Sequence, residues 1–482
     1  MSEPGAGPER CDAIVVGAGI SGLTAARLLA REGQRVVVIE ARGRIGGRVH
    51  SERIDGRVTD LGASWIHGIA DSPVHAATRA LGMPDVEFTV GSYQPGGRPI
   101  AYFGPDGERL DAADVERFVA DIAAVDARLP DAIGLLARGA SYADAADAAV
   151  AAVTAEHGWD PDRAERVTEF LYHRAEEQYG VDAAELDAHG LDDDETEGDE
   201  VVFPEGYDRL AAGLAEGLDI RLGRAATRVA WSESGVEVTW SASGEAVGPQ
   251  EGGGTIAADR AVVTVPVGVL RSGGLEFAPA LPEPVAGALA GLEMNAFEKV
   301  FLRFEERFWG GADGAGSDGA REPIYAVRRQ GDAAEWWHSW YDLTPLDGEP
   351  TLLTFAAAAC ARETRAWSDD RIVASVMASL REIFGDGVPD PVRARVTRWQ
   401  DDPWALGSYA FLVPGARPED HERVATPIGA PGAEPVLHLA GETTWQEDPA
   451  TVTAALRSGH RAAERIIGRA IPMRELLASL AR

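Results

Sequence analysis

Three glycines between a predicted strand and a predicted helix constrain the fold of this chain more than any other feature. Gly17, Gly19 and Gly22 follow a short apolar run, and residues 20–33 then carry apolar side chains at helical spacing. Residues 35–40 form a second run rich in β-branched residues, which predicts a β-α-β unit. The first glycine allows a tight turn, the second lets a phosphate approach the backbone, and the third lets helix and strand pack closely. The pattern therefore predicts a parallel sheet that binds a dinucleotide.

The residues after this unit narrow the choice of dinucleotide. Glu40 ends the second predicted strand, where a carboxylate can accept hydrogen bonds from an adenosine ribose. Up to this point the dinucleotide could be NAD or FAD. Arg42, Arg44 and Arg48 then surround the glycine pair 46–47, which offers guanidinium groups and a second close backbone approach to a pyrophosphate. This arrangement favours FAD.

Composition sets outer limits on the class of protein. The 482 residues correspond to two or three domains at about 100–200 residues each. The formal charge of −33 repels nucleic acid and anionic membranes and attracts cations. Cys11 and Cys360 are too few for a disulfide framework or a four-cysteine metal site, and no apolar run reaches the roughly 18 residues of a membrane span. We therefore expect a cytoplasmic monomer or homodimer without nucleic-acid, membrane or metal partners.

The chain has 45 basic residues, of which only Lys299 is a lysine. Either this lysine persists by chance, or its position needs a compact ammonium that a planar guanidinium cannot replace.

The middle of the chain differs in pattern from its start. Residues 111–189 are predicted to be mostly helical, whereas 220–265 return to the strand pattern. The acidic run 192–200 between them is either a solvated loop or a negative funnel for polycations. Further helices are predicted near 369–384 and 450–468.

Several separated motifs, in order along the chain, resemble those of the flavin-containing amine oxidases. This family includes monoamine oxidases, polyamine oxidases and lysine-specific histone demethylases, and the motifs look most like those of polyamine oxidases. Several motifs in the right order are far more specific than one glycine turn. The motifs are TDLGASWIHG (59–68), GLDIRLGRAATRVAW (217–231), VVTVPVGVL (262–270), NAFEKVFLRF (295–304), RWQDDPWALGSY (398–409) and HLAGETTWQEDPATVTAALRSG (438–459).

The resemblance implies an α/β fold: a discontinuous, Rossmann-like FAD-binding domain and an α+β substrate-binding domain. The implied segments are 9–82, 203–288 and 398–470 for the FAD-binding domain, 83–202 and 289–397 for the substrate domain, and 471–482 as a C-terminal tail. The pattern of this last segment is that of a short amphipathic helix or a tail.

The resemblance also implies which residues hold the cofactor. Ser408 stands where monoamine oxidases carry the cysteine that bonds to FAD, so noncovalent FAD is expected. The implied cofactor residues are Gly17, Gly19, Gly22, Glu40, Ala41, Arg42, Gly47, Arg48, Gly62, Ala63, Ser64, Trp65, Val229, Trp399, Trp404, Gly441, Glu442, Thr451 and Val452.

Four residues are implied to act on the substrate or the flavin. Lys299 matches the family lysine that holds a water at flavin N5, and Tyr409 matches one wall of the aromatic substrate cage. Thr451 replaces the second wall and opens one side of the cage, and His67 matches a histidine that contacts substrate in animal-type polyamine oxidases.

Two further residues are candidates for substrate binding. Asp448 either caps a helix before Pro449 or pairs with a distal ammonium of the substrate. Trp445 lies three residues earlier in the same motif.

The implied reaction is oxidation of an amine C–N bond by hydride transfer to FAD, which gives an imine, then an aldehyde, with oxygen reduced to hydrogen peroxide. The expected substrate is a small cationic amine, first of all a polyamine. Alternatives are an L-amino-acid oxidase, an amine oxidase of secondary metabolism, and a catalytically inactive flavin-fold scaffold that binds a partner.

Overall fold

The computed structural model describes residues 8–89, 100–191, 197–244, 252–309, 326–331 and 336–481. The helices are α1 (Ile20–Arg31), α2 (Pro73–Ala80), α3 (Ala112–Asp126), α4 (Leu129–Leu135), α5 (Tyr142–His157), α6 (Pro161–Tyr179), α7 (Arg209–Ala215), α8 (Val267–Arg271), α9 (Glu283–Ala290), α10 (Thr344–Asp347), α11 (Ala358–Thr364), α12 (Asp369–Phe384), α13 (Asp420–Val424), α14 (Val452–Ile467) and α15 (Met473–Leu480), with a 3₁₀ turn at Glu442–Thr444.

The strands are β1 (Glu9–Val16), β2 (Val36–Ile39), β3 (Ser51–Ile54), β4 (Arg57–Asp60), β5 (Trp65–Ile66), β6 (Val86–Glu87), β7 (Ile100–Phe103), β8 (Val201–Val202), β9 (Asp219–Arg221), β10 (Arg224–Ser232), β11 (Gly235–Ala242), β12 (Gly253–Val263), β13 (Glu276–Ala278), β14 (Leu292–Met294), β15 (Phe297–Arg303), β16 (Ala326–Arg329), β17 (Ser339–Asp342), β18 (Thr351–Ala357), β19 (Arg393–Val396), β20 (Ala410–Leu412) and β21 (Leu437–Leu439).

The first sheet carries the predicted β-α-β unit. Its strand order is β13-β10-β11-β12-β1-β2-β9, with β21 beside β12, and β1 runs parallel to both β2 and β12. Ala13 and Val15 face one hydrophobic core and Ile14 and Val16 face another, so both sides of β1 are covered. This burial explains the unbroken apolar runs in the sequence, which are typical of a parallel sheet with helices on its faces.

The second sheet has the order β19-β15-β18-β17-β16-β7 and is antiparallel except for the β16–β7 pair. Val300 and Leu302 of β15 pack with α12 in one core, while Phe301 faces the opposite side with Leu353. Because side chains alternate along a strand, Phe297 and Lys299 lie on the same side as Phe301. The two sheets confirm the predicted fold class.

The strands of the first sheet fall within the segments 9–82, 203–288 and 398–470, and those of the second within 83–202 and 289–397. The domain boundaries themselves stay a prediction.

The end of the chain, predicted as a short amphipathic helix or a tail, forms a helix that packs into the core under the first sheet. Its helix α15 buries Leu476 and Leu480 there, and Arg27 of α1 donates to Ser479 at 2.7 Å. An amphipathic helix of this kind is stabilised by burying its apolar face, and α1 and α2 supply the surface.

Among the described residues, no helix is both long enough and apolar enough to cross a lipid bilayer.

Candidate active site

A cavity of about 1130 Å³ extends from the glycine turn of the first sheet to the side of the second sheet that carries Lys299. Most of the residues predicted from the sequence line it. They are Gly17, Gly19, Glu40, Ala41, Arg42, Gly47, Arg48, Gly62, Ala63, Ser64, Trp65, His67, Lys299, Trp399, Trp404, Tyr409, Gly441, Glu442, Asp448, Thr451 and Val452.

The glycine turn has the geometry of a phosphate site. Helix α1 starts at Ile20 with Gly19 as its N-cap, and no heavy atom lies within 4 Å of the position where a Gly19 Cβ would be. A Cβ on Gly22 would instead lie 2.0 Å from the carbonyl oxygen of Gly17. Gly19 thus leaves open space at a helix N-terminus, where backbone N–H groups favour an anion, and Gly22 permits helix–strand contact. Gly22 does not itself line the cavity.

Glu40 is held by the backbone at the end of β2. Its two carboxylate oxygens accept hydrogen bonds from the N–H groups of Ala18 at 2.7 Å and Arg42 at 2.8 Å. Burial raises the pKa of this carboxyl, and the two N–H groups oppose that shift. The oxygens retain lone pairs that can accept hydrogen bonds from hydroxyl groups.

Two partly buried ion pairs connect distant parts of the chain beside the cavity. Arg48 donates to Glu442 at 2.7 Å and to the carbonyl of Ser408 at 3.1 Å, and Arg42 pairs with Asp402. Burial raises the pKa of Glu442, but the charge and hydrogen bond of Arg48 lower it by more. The pairs hold the segments around 402, 408 and 442 against the glycine-rich loop.

Besides Gly22, two predicted cofactor or substrate residues do not line the cavity. Val229 is fully buried in the core of the first sheet, and the same strand lines the cavity through Arg224, Ala225 and Ala226. The reason is that β10 begins beside the cavity and then runs away from it, with a register shift between Ala226 and Arg228.

Trp445 is the other exception, because its ring lies beside two guanidinium groups instead of lining the cavity. The ring centroid is 4.8 Å from the Cζ of Arg461 and 5.7 Å from that of Arg457. These cation–π contacts give the tryptophan a structural role on helix α14.

Lys299 extends from β15 toward the loop that follows β4. Its Nζ donates to the carbonyl oxygens of Gly62 at 2.6 Å and Asp60 at 3.1 Å, and to Ser64 Oγ at 2.5 Å. It also lies 5.5 Å from the ring centroid of Trp65. Lys299 as a whole residue is only 7% exposed, and its side chain is held in place at the cavity wall. Burial lowers the pKa of Lys299 to about 8, and the carboxylate of Asp60 opposes that shift.

An aromatic wall continues from Trp65 along the second sheet. Trp65 contacts Tyr341 edge-on at 6.3 Å, Tyr341 contacts Phe355 at 5.5 Å, and Phe355 contacts Phe297 at 4.7 Å between ring centroids. Phe297 in turn lies 5.7 Å from Tyr409. All five rings line the cavity. Such a wall holds an apolar chain and accepts a cation on its faces.

Sequence reasoning missed Phe297, Tyr341 and Phe355. Phe297 could have been found, because it lies two residues before Lys299 on one strand and therefore on the same face. Phe355 and Tyr341 reach the cavity through strand pairing, since Lys299 is opposite Phe355 and Tyr341 is opposite Leu353.

Helix α14 begins at the cavity, and Thr451 is its N-cap. The hydroxyl of Thr451 accepts from the N–H of Ala454 at 3.0 Å and donates to the carbonyl of Asp448 at 2.7 Å. This hydroxyl is therefore used in capping, and the free end of the helix presents its positive pole to the cavity. Asp448 also lines the cavity and has a left-handed backbone with φ 48°.

His67 projects from the end of β5 into the cavity, where its Nδ1 lies 2.5 Å from a carboxylate oxygen of Glu200. Burial lowers the pKa of His67, but the hydrogen bond and charge of Glu200 raise it by more, so that the pKa lies above its ordinary value. Glu200 belongs to the acidic run 192–200, of which residues 192–196 lie outside the described part of the chain. The sequence analysis did not single out Glu200.

One cluster of possible metal ligands lies near this wall. His173, Glu176 and His338 bring ligand atoms within 4.8 Å of one another. The two imidazole rings are stacked face to face at 4.0 Å with an angle of 10°. Because the nitrogen lone pairs lie in the ring planes, stacked rings do not direct them to one point, and we assign no metal to the cluster.

The donor set of the cavity fits FAD. The open space at Gly19, the carboxylate of Glu40 and the start of helix α14 provide sites for a pyrophosphate, a ribose and an electron-rich ring edge. Both cysteines are buried and neither lines the cavity, and Ser408 uses its hydroxyl to donate to the carbonyl of Phe297 at 2.6 Å. The cavity thus presents no thiol for a covalent bond to the cofactor.

Comparisons with known proteins agree with this geometry. Polyamine oxidase 2 of Arabidopsis thaliana is 30% identical to this chain, over 94% of this chain and 87% of the relative. Lysine-specific histone demethylase 2 of Homo sapiens is also 30% identical, over 94% of this chain but 53% of the relative. A structure of putrescine oxidase bound to putrescine shares the fold, with a TM-score of 0.72 and 23% identity over 95% of this chain and 99% of that one.

The family model for flavin-containing amine oxidoreductases matches residues 20–467, which is most of the chain. The chain therefore belongs to this family, and it is a flavin-dependent amine oxidase whose cofactor is noncovalently bound FAD.

Proposed function

We propose that the enzyme oxidises a polyamine, with oxygen as the electron acceptor and an aldehyde, an amine and hydrogen peroxide as products. The bound FAD would supply the hydride acceptor. The protein supplies an aromatic wall that positions the carbon chain, and a distal region of the cavity whose charge suits additional ammonium groups. We also propose that the enzyme acts in the cytoplasm, as a monomer or a homodimer.

Carboxylates in the lining of the cavity carry the proposal. Two arginines in this region already have acidic partners: Arg174 donates to Asp126 at 2.7 Å, and Arg328 pairs with Glu177. Four further carboxylates of the lining outnumber two further basic side chains, Arg457 and His67, of which His67 pairs with Glu200. The carboxylates are those of Asp71, Glu197, Glu200 and Asp448. A substrate with several ammonium groups matches this excess of negative charge.

Aromatic side chains surround the reacting end of the substrate in this proposal. Trp65, Phe355 and Tyr409 exclude water and present ring faces to the amine. Hydride loss needs a neutral nitrogen, so the reacting amine must enter without its proton. A carboxylate beside this nitrogen would be unfavourable, because it would raise the pKa of the amine and favour the charged form.

We expect Glu200→Gln to weaken polyamine binding about tenfold, equivalent to about 1.4 kcal/mol, while a monoamine of similar length is affected little. The amide keeps the shape of the side chain and removes its charge. The measurement is the concentration dependence of flavin bleaching under anaerobic conditions. Glu233→Gln, on an exposed turn, is the matched control. Equal losses for polyamine and monoamine would count against a distal ammonium site at Glu200.

An amine that carries a carboxylate is the second candidate substrate. Arg457 lines the cavity, and its Nε is buried without a hydrogen-bond partner among the described residues. An L-amino acid would need such a guanidinium for its carboxylate. An anaerobic panel of polyamines, monoamines and amino acids distinguishes the candidates: reduction by amino acids alone rejects the polyamine proposal, and no reduction at all indicates an inactive scaffold.

We expect the reaction of the reduced enzyme with oxygen to slow as the pH rises through the pKa of Lys299, which burial lowers to about 8. The ammonium form stabilises developing negative charge, and it is lost above this pKa. If the reduced cofactor is anionic, its negative charge would raise the pKa of Lys299 and move the midpoint of the pH profile to a higher pH. Rapid mixing with oxygen at a series of pH values measures the profile, and a rate that is flat or increases with pH would contradict the assignment.

A further inference from the structure

We propose that Asp60 is the positioning residue that keeps the side chain of Lys299 protonated at the cavity wall. Asp60 ends β4 and lies 239 positions before Lys299 in the sequence, yet its carbonyl accepts directly from the ammonium. The inference concerns the charge of the lysine and does not depend on which amine is the substrate.

Within the described part of the chain, the ammonium donates only to neutral acceptors. Its three hydrogen bonds go to the carbonyls of Asp60 and Gly62 and to the hydroxyl of Ser64. Uncharged acceptors orient a buried ammonium, but they compensate its desolvation less well than a nearby anion does. The charge must therefore be balanced by a group beyond this first set of contacts.

The carboxylate of Asp60 is anchored on the same short segment. Its Oδ1 accepts from Ser51 Oγ at 2.5 Å and from the N–H of Tyr207 at 3.2 Å. Both hydrogen bonds arrive at one oxygen. An asparagine with its amide oxygen in that position would keep both of them while it removed the charge.

Asp60 is the anion that acts on the lysine, because the neighbouring ionisable groups are either paired or neutral. Asp208 pairs with Arg53 at 2.7 Å through both of its oxygens, which compensates its charge. The hydroxyl of Tyr207 is neutral, because burial and the charge of Asp60 raise its pKa. The rings of Trp65 and Phe301 also flank the ammonium, with centroids 5.5 and 5.9 Å from Nζ.

The pKa directions agree with this geometry. Burial lowers the pKa of Lys299 to about 8, and Asp60 opposes the shift. Burial raises the pKa of Asp60 to about 6, and the hydrogen bond from Ser51 and the charge of Lys299 oppose that shift. Between these two values both groups are charged, so each stabilises the ionised form of the other.

The composition of the chain makes the test unusually direct. Because Lys299 is the only lysine, the untagged holoenzyme labelled with ¹³C at lysine Cε gives one side-chain NMR resonance, whose chemical shift follows protonation. We expect the titration midpoint of Asp60→Asn to fall by one pH unit or more relative to the unmodified enzyme, a tenfold change in proton affinity. A midpoint that does not move in a variant that retains FAD and folds normally would overturn the proposal.

Two further variants keep the outcome interpretable. Asp208→Asn removes an equal charge from the same region and should leave the midpoint in place, whereas Asp60→Glu restores a carboxylate and should bring the midpoint back toward that of the unmodified enzyme.

If Asp60→Asn does not fold, Ser51→Ala provides the test. Loss of this donor makes Asp60 a weaker acid, so the response of the Lys299 resonance to the ionisation of Asp60 should move to higher pH, and a resonance that does not respond to Asp60 at all would reject the proposal. A failure here leaves the polyamine proposal untouched, because no substrate is present.

Discussion

Replacing Lys299 with methionine should slow the reaction of the reduced enzyme with oxygen by about 10²-fold, the scale expected when one preorganised charge-stabilising group is removed. Methionine has a similar length and occupies the same space, but it loses the cation–π contacts that Nζ makes with Trp65 and Phe301. The variant should still bind FAD, because none of the hydrogen bonds of Lys299 involves Glu40, Arg48 or the glycine turn. Separate rapid-mixing measurements of reduction by amine and reoxidation by oxygen locate the defect.

Two control variants make the result specific to a compact ammonium. Lys299→Arg keeps the charge, but its planar fork cannot match the three acceptors around Nζ, so it should recover little of the lost rate. Arg303→Met, on the same strand but away from the cavity, removes a positive charge and should leave the rate unchanged. If Lys299→Met reacted with oxygen at the normal rate, the assigned role would be wrong.

Gly19→Val should produce a folded protein that binds FAD at least about 100-fold more weakly, equivalent to about 2.8 kcal/mol. The backbone of Gly19 has φ −76°, which suits any residue, and no heavy atom surrounds the position of a Cβ. The side chain would therefore extend into the open space beside the start of α1, where a pyrophosphate would approach the backbone. Titration of the apoprotein with FAD, followed by flavin fluorescence, measures the affinity.

The same substitution elsewhere separates loss of cofactor from loss of fold. Gly387→Val, at an exposed position with equally open surroundings, should bind FAD normally. Gly22→Ala should instead destabilise the fold, because its Cβ would lie 2.0 Å from a backbone oxygen that cannot move independently. Normal FAD affinity in Gly19→Val would show that the pyrophosphate lies elsewhere.

Much of the cofactor end of the site could be predicted from short segments of sequence. The glycine spacing, Glu40 and the arginines around residue 46 act within one β-α-β unit, where backbone geometry follows directly from local residue order. The rarity of lysine also pointed to Lys299 without any knowledge of its neighbours. Strand β10 shows the limit of this approach, because the sequence placed Val229 at the cavity whereas Ala226, before the register shift, lines it.

The substrate end was decided by tertiary structure. Phe297, Tyr341 and Phe355 form one wall because three strands pair in a particular register, and Glu200 meets His67 although 133 positions separate them in the chain. The sequence by itself determined the fold class and the chemistry of the cofactor, since both follow from local patterns. Only the packed structure decided which side chains face the amine and that Asp60 lies beside Lys299, because contacts between distant segments depend on how the two sheets are positioned around the cavity.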